Sequence, residues 1–84
     1  MEEIGKISVE CYSGYRANES PRAFFFDGRR MNVLDVIGRW YEGGLKSDTP
    51  IMHFFKVRAD DGMVYLLRYD PLRDEWTMLA PKRT

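Results

Sequence analysis

The most informative stretch of this chain is Phe54-Phe55-Lys56-Val57-Arg58-Ala59-Asp60-Asp61-Gly62-Met63-Val64-Tyr65-Leu66-Leu67-Arg68-Tyr69. It holds two runs rich in aromatic and β-branched residues, separated by a turn signal, and this pattern predicts a β-hairpin. The two aspartates suit a type I turn, and the glycine that follows can take a left-handed conformation. We therefore predict a three-residue loop with a bulge, which sets Ala59 opposite Met63.

This register divides the hairpin's side chains between two faces, because side chains alternate along a strand and cross-strand partners share a face. One face is apolar and is predicted to be the core side: Phe55, Val57, Tyr65, Leu67 and Tyr69. The other face mixes three bases with three apolar groups: Phe54, Lys56, Arg58, Val64, Leu66 and Arg68. A two-residue loop would scramble the faces, so burial itself favours the bulged turn.

A second hairpin is predicted from residues 23–26, through a turn at Asp27-Gly28-Arg29-Arg30, into residues 31–41. Its second arm fits two structures. Apolar residues in 33–41 have helical spacing, with a capping Asn32. The β-branched residues and Gly38 favour a strand, whose faces would be Leu34, Val36, Gly38 and Trp40 on one side and Val33, Asp35, Ile37, Arg39 and Tyr41 on the other. We favour the strand, with the helix as the alternative.

The remaining segments complete an all-β domain. An opening strand is expected at residues 4–12, and a last strand after the turn at residues 70–74 places Trp76 and Met78 on one face. Residues 42–50 form the longest polar connection and are predicted to be a mobile loop. Twelve aromatics in 84 residues, with frequent turn signals, predict one domain over residues 1–84. We expect a small SH3-like barrel, or a strongly bent antiparallel meander, of about six strands.

Composition excludes several function classes. Thirteen Lys and Arg balance thirteen Asp and Glu, so the chain lacks the strong positive charge of a dedicated nucleic-acid binder. With one Cys and one His, we expect no disulfide, no metal site and no cofactor. His53 has no nucleophile in a recognisable motif beside it. Cys11 is interpreted as a small hydrophobe on a strand. Asp60-Asp61 are interpreted as turn residues, and Asp74-Glu75 as the solvated rim of a strand. We therefore predict that the protein is not an enzyme.

The location of the protein is predicted from what its sequence lacks. No apolar run approaches the ~18 residues of a membrane-spanning helix. The first residues carry acid where a secretory signal carries base. We expect a cytoplasmic protein without a membrane partner.

Binding is the remaining function class, and the sequence offers several candidate residues. Protein recognition ranks first, with Arg39 and Tyr41 as interface residues and Trp40 assigned to the core. The alternative is weak binding of single-stranded nucleic acid on the mixed face, through Phe54, Lys56, Arg58 and Arg68, with Arg29 and Arg30 at one end. Edge-strand pairing of two copies would also form a homodimer.

The pattern of aromatics and turn glycines resembles an uncharacterised family of small bacterial domains of unknown function. The resemblance covers residues 21–79 and rests on residues 24–30, Val33, Val36, Trp40, residues 55–58 and 62–67, Asp70 and Trp76. It implies an SH3-like or similarly small barrel. No catalytic or ligand-binding residues of that family are known to carry over.

Overall fold

The computed structural model of the protein describes residues 3–11, 20–44 and 50–80. These residues form six strands: β1 Glu3–Cys11, β2 Pro21–Phe26, β3 Arg29–Gly43, β4 Ile51–Ala59, β5 Val64–Asp70 and β6 Glu75–Leu79. The all-β prediction is confirmed, and so is the strand interpretation of residues 33–41. The described residues contain no helix of a length and apolarity suited to crossing a membrane. Residue 12, and residues 45–49 of the predicted long loop, lie outside the described ranges.

Antiparallel pairing of neighbours in chain order, with β6 returning to β1, closes the strands into a barrel. This architecture is consistent with the predicted SH3-like barrel. The long strand β3 takes part in two sheets: residues 29–32 pair with β2, and residues 33–43 pair with β4. Strand β1 likewise pairs with both β2 and β6. These two shared strands let one short chain enclose a core, while residues 33–43 of β3 pair with β4 alone among the described strands.

The interior is filled by side chains from all six strands. Its buried members are Phe24, Met31, Phe55, Val57, Ala59, Leu67, Tyr69, Trp76 and Met78. Partly buried hydrophobic residues pack against them, among them Cys11, which agrees with its interpretation as a small hydrophobe. Trp76 and Met78 share this interior face, as predicted. The core is therefore the barrel lumen.

The β4–β5 hairpin has the predicted register. Val57 pairs with Tyr65, and the Ala59 N–H donates to the carbonyl of Met63 at 2.9 Å. Gly62 has φ of 84°, the left-handed value that the bulged loop requires. The predicted turn of the first hairpin is too long, because β3 begins at Arg29 and only two residues connect the strands. Both have positive φ, 55° at Asp27 and 74° at Gly28, which is a type I′ turn.

Two β-bulges interrupt β3 and correct its predicted faces. The pairing with β4 shifts between Val33 and Asp35 and again between Val36 and Gly38, which leaves Leu34 and Ile37 as additional residues. The first extra residue exchanges the two faces, and the second exchanges them back. The inward residues are therefore spaced by three at Val33, Val36 and Arg39. Two bulges in succession produce a spacing close to that of a helix, which explains why the sequence fitted both structures.

Candidate binding surfaces

The outer surface of β3, β4 and β5 carries the predicted mixed face. Cross-strand pairs align Phe54 with Arg68, Lys56 with Leu66, and Arg58 with Val64, so four of the candidate residues do share one surface. The bulged turn of the β4–β5 hairpin is what fixes this arrangement. The face extends onto β3, where Trp40 pairs with Phe54.

A second apolar cluster lies on this outer surface, and it changes the role of two residues. Phe54, Leu66 and Leu79 are buried there, with Trp40 and Met52 packed against them. The rings of Trp40 and Phe54 stack at 5.4 Å between centroids and 5° between planes. Phe54 is only 5 % exposed, so its ring offers no open face on which a nucleobase could stack. The assignment of Trp40 to the main core is wrong, because it relied on alternation with Val36, and the bulge at Ile37 places these two residues on opposite faces.

The bases of the mixed face are largely balanced by acids. Arg58 pairs with Asp35 at 3.2 Å, and Arg68 pairs with Glu3 of β1. Lys56 is exposed and forms no ion pair within the described part of the chain. Because two of three bases are compensated, the electrostatic attraction that a nucleic-acid surface needs is small here.

One acid on the same outer surface is likewise without a cation. Glu42 accepts a hydrogen bond from the indole Nε1 of Trp40 at 2.9 Å but forms no ion pair among residues 3–11, 20–44 and 50–80. Lys56 lies opposite Gly38 in the β3–β4 pairing, four residues before Glu42. The unpaired cation and anion are therefore about 13 Å apart along the strand.

Arg29 and Arg30 lie away from the mixed face, on the β2–β3 hairpin. Arg30 forms an ion pair with Glu10 at 2.7 Å, and its guanidinium lies 5.9 Å from the ring centroid of Phe25. Arg29 pairs across the hairpin with Phe26. The structure therefore does not bring these two bases into one surface with Lys56.

A row of aromatic side chains runs along the inner face at one end of the barrel. Tyr41, His53, Tyr69 and Trp76 occupy neighbouring strands, with ring centroids 4.7, 6.0 and 4.9 Å apart in succession. The row is exposed only at its β3 end, where Tyr41 is 58 % accessible. Arg39 lies in the next row, with its guanidinium 5.0 Å from the centroid of the Phe55 ring. The two predicted interface residues thus lie side by side on the inner face of β3.

Two titratable groups of this row have shifted pKa values. Burial, and secondly the charge of Arg39, lower the pKa of His53, so its imidazole is neutral at pH 7. His53 Nδ1 is buried and finds no hydrogen-bond partner among the described residues. Burial, together with a hydrogen bond of 2.7 Å from its hydroxyl to Asp74, raises the pKa of Tyr69 to about 12.

The acidic pairs have structural partners in the turns. Asp61 accepts hydrogen bonds from the Tyr65 hydroxyl at 2.5 Å and from the Met63 N–H at 2.9 Å, and these lower the pKa of Asp61. Asp60 accepts from the side-chain amide of Asn32 at 2.9 Å. The interpretation of Asp60-Asp61 as turn chemistry is therefore confirmed.

The remaining surface of note is the edge of β3. From residue 33 to residue 43 this strand pairs with β4 on one side, and no strand of the described residues pairs on the other. We call this side the β3 edge. Beside it Leu34, Ile37 and Tyr41 are 61 %, 44 % and 58 % exposed. Tyr41 was predicted from the sequence as an interface residue, but Leu34 and Ile37 were not. The three-residue spacing of Val33, Val36 and Arg39 was the sequence feature that could have identified them.

Comparisons with known proteins add no relative, since no family model, curated protein or solved structure matches this chain. The resemblance to the uncharacterised bacterial family stays a prediction. The function therefore has to be argued from the surfaces themselves.

Proposed function

We propose that the protein is a non-catalytic binding module that recognises another protein through the β3 edge. The observation that carries this proposal is that residues 33–43 of β3 have a partner strand on one side only among the described residues, with exposed aliphatic and aromatic side chains beside the unpaired side. Such a strand can accept a further extended strand, whose backbone hydrogen bonds supply affinity while the neighbouring side chains supply specificity. Monomeric proteins usually protect an edge of this kind.

The two bulges restrict where a partner strand can pair. Bulges twist an edge and interrupt its regular pattern of hydrogen-bonding groups. Leu34 and Ile37 occupy those bulges, so they contribute apolar contact area rather than backbone pairing. The regular part of β3 comes after them, and Tyr41 lies within it. The edge thus combines an apolar segment with a pairing segment.

Paired substitutions test this proposal. Leu34→Lys places a charge in the apolar segment, and Leu72→Lys is the matched control, because Leu72 is 77 % exposed in the turn between β5 and β6. Both variants should fold, since both side chains are largely in solvent. Proteins retained by the immobilised wild type are expected to be lost with the first variant and kept with the second. Equal retention by all three would refute a role for the β3 edge.

Nucleic-acid binding, the alternative function predicted from the sequence, is tested by a titration in solution. Single-stranded DNA or RNA is added to labelled protein at low and at moderate salt while amide chemical shifts are followed. Salt-sensitive shifts confined to residues 54–58 and 64–68 would favour nucleic acid over a protein partner. The ion pairs of Arg58 and Arg68 lead us to expect none.

A further inference from the structure

We infer that the partner which fits the β3 edge is a second copy of this chain, paired antiparallel about Trp40. This inference rests on the proposed function, since it takes the same edge as the binding surface. It goes further by fixing the partner, the register and the side chains that meet.

The regular part of β3 sets the register. Upstream, the second bulge ends at Gly38. Downstream, Gly43 has φ of 97°, which departs from extended backbone. The unbroken segment is therefore residues 38–42, and its middle residue is Trp40. Two copies of a strand can pair antiparallel about a two-fold axis perpendicular to the sheet. Side chains of opposite residues then share a face only if one residue lies directly opposite its own copy. Centring on Trp40 pairs the whole segment with itself.

The charges of the outer surface agree with this register independently. Pairing about Trp40 places Gly38 of one copy opposite Glu42 of the other. Lys56 is the neighbour of Gly38 on β4, so Lys56 and Glu42 of the second copy lie on either side of a residue without a side chain. Strands are about 4.8 Å apart, which puts their Cα atoms about 10 Å from each other. A lysine and a glutamate can span that distance across the gap.

The pairing compensates the two charges of this surface that have no ionic partner among the described residues of one chain. Within the described ranges, the outer face of β3, β4 and β5 carries ion pairs at Arg58, Arg68 and Asp70, whereas Lys56 and Glu42 have none. The two-fold axis forms the Lys56–Glu42 contact twice. Glu42 retains a second carboxylate oxygen for it, because only Oε2 accepts the indole hydrogen bond.

The apolar groups at the centre also match. Trp40 would face Trp40 of the second copy, which extends its stack on Phe54 into a row of four rings across the interface. Aromatic cross-strand pairs stabilise antiparallel sheets. The paired segment is only five residues long, so we expect a weak, reversible dimer rather than an obligate one.

A charge exchange tests this dimer. Sedimentation equilibrium from micromolar to millimolar protein at low salt should give a reversible monomer–dimer equilibrium for the wild type. Lys56→Glu and Glu42→Lys should each raise the dissociation constant by about tenfold, because two contacts become repulsive. The double variant carrying both changes should return to within about threefold of the wild type. Arg73→Glu, an equal charge change in the β5–β6 turn, serves as control and should have no effect.

Three results would overturn the inference. They are a wild type that stays monomeric at every concentration, single variants that associate as the wild type does, and a double variant that fails to regain association. Failure here is distinguishable from failure of the proposed function. A monomeric protein whose capture of other proteins still depends on Leu34 would refute the dimer alone.

Discussion

Replacing Phe54 by alanine tests whether the outer apolar cluster is structural. Phe54 faces away from the barrel interior, yet it is 5 % exposed and stacked on Trp40. An outward residue on a small barrel would ordinarily tolerate truncation. Here we expect the cost of a core residue, because the variant leaves a cavity against Trp40, Leu66 and Leu79.

The magnitude is set by the burial. Truncating a buried phenylalanine to alanine costs about 3–5 kcal/mol, and a cluster at the surface can relax more readily than a lumen, so we take about 3 kcal/mol. For a domain of this size each kcal/mol lowers Tm by about 4–8 °C, which gives a fall of about 12–24 °C. Phe25→Ala is the matched control. Phe25 is 41 % exposed and contacts the Arg30 guanidinium, an interaction that contributes about 0.5–1 kcal/mol.

Urea and thermal unfolding of both variants, followed by circular dichroism, supply the assay. We predict a large loss for Phe54→Ala and a small one for Phe25→Ala. A loss below about 1 kcal/mol for Phe54→Ala, equal to the control, would refute the structural role of the cluster. It would also return Phe54 to the set of side chains available for stacking on a ligand.

Individual residues support three further predictions. Gly38→Ala should raise the free energy of unfolding by about 0.4–1 kcal/mol, because a Cβ at this position would make only ordinary contacts at 3.8 Å. Gly44→Ala should lower the free energy of unfolding by about 1–2 kcal/mol, because Gly44 has φ of 77° and a Cβ there would lie 2.6 Å from Ile51. Chemical denaturation measures both changes. Since burial lowers the pKa of His53, stability present at neutral pH should be lost as the pH falls below about 6.5, and urea unfolding of His53→Gln should lack this dependence. The hydrogen bond to Asp61 raises the pKa of Tyr65 to about 12, so Asp61→Asn should move it back toward 10, as read from tyrosinate absorbance.

The β4–β5 hairpin was predictable because its signals are local. Alternation and turn chemistry together fixed the register, and with it the faces that carry Lys56 and Phe55. Strand β3 was harder, since an extra residue in a strand has no fixed sequence signature and each one exchanges the two faces. The extra residue Ile37 separates Val36 from Trp40, which is why alternation from Val36 assigned Trp40 to the wrong side of the sheet.

The ionic surroundings of the candidate residues could not be read from the sequence. Arg68 pairs with Glu3, which lies 65 residues away in the chain, and this contact exists only because the last strand returns to the first. The burial of Phe54 depends likewise on Leu79 of β6. The first contact results from barrel closure and the second from packing across three consecutive strands, and single-strand patterns encode neither.

Amide hydrogen exchange of labelled protein at low concentration tests the β3 edge most directly. Strand β4 lies between two partners, so its amides at residues 53–58 should all be protected. In β3 we predict that alternate amides between residues 38 and 42 exchange rapidly, because an antiparallel strand with one partner directs every second N–H away from it. At millimolar protein these same amides should become protected as the second copy pairs. Uniform protection of residues 38–42 at low concentration would contradict an open β3 edge, since the edge would then already be covered.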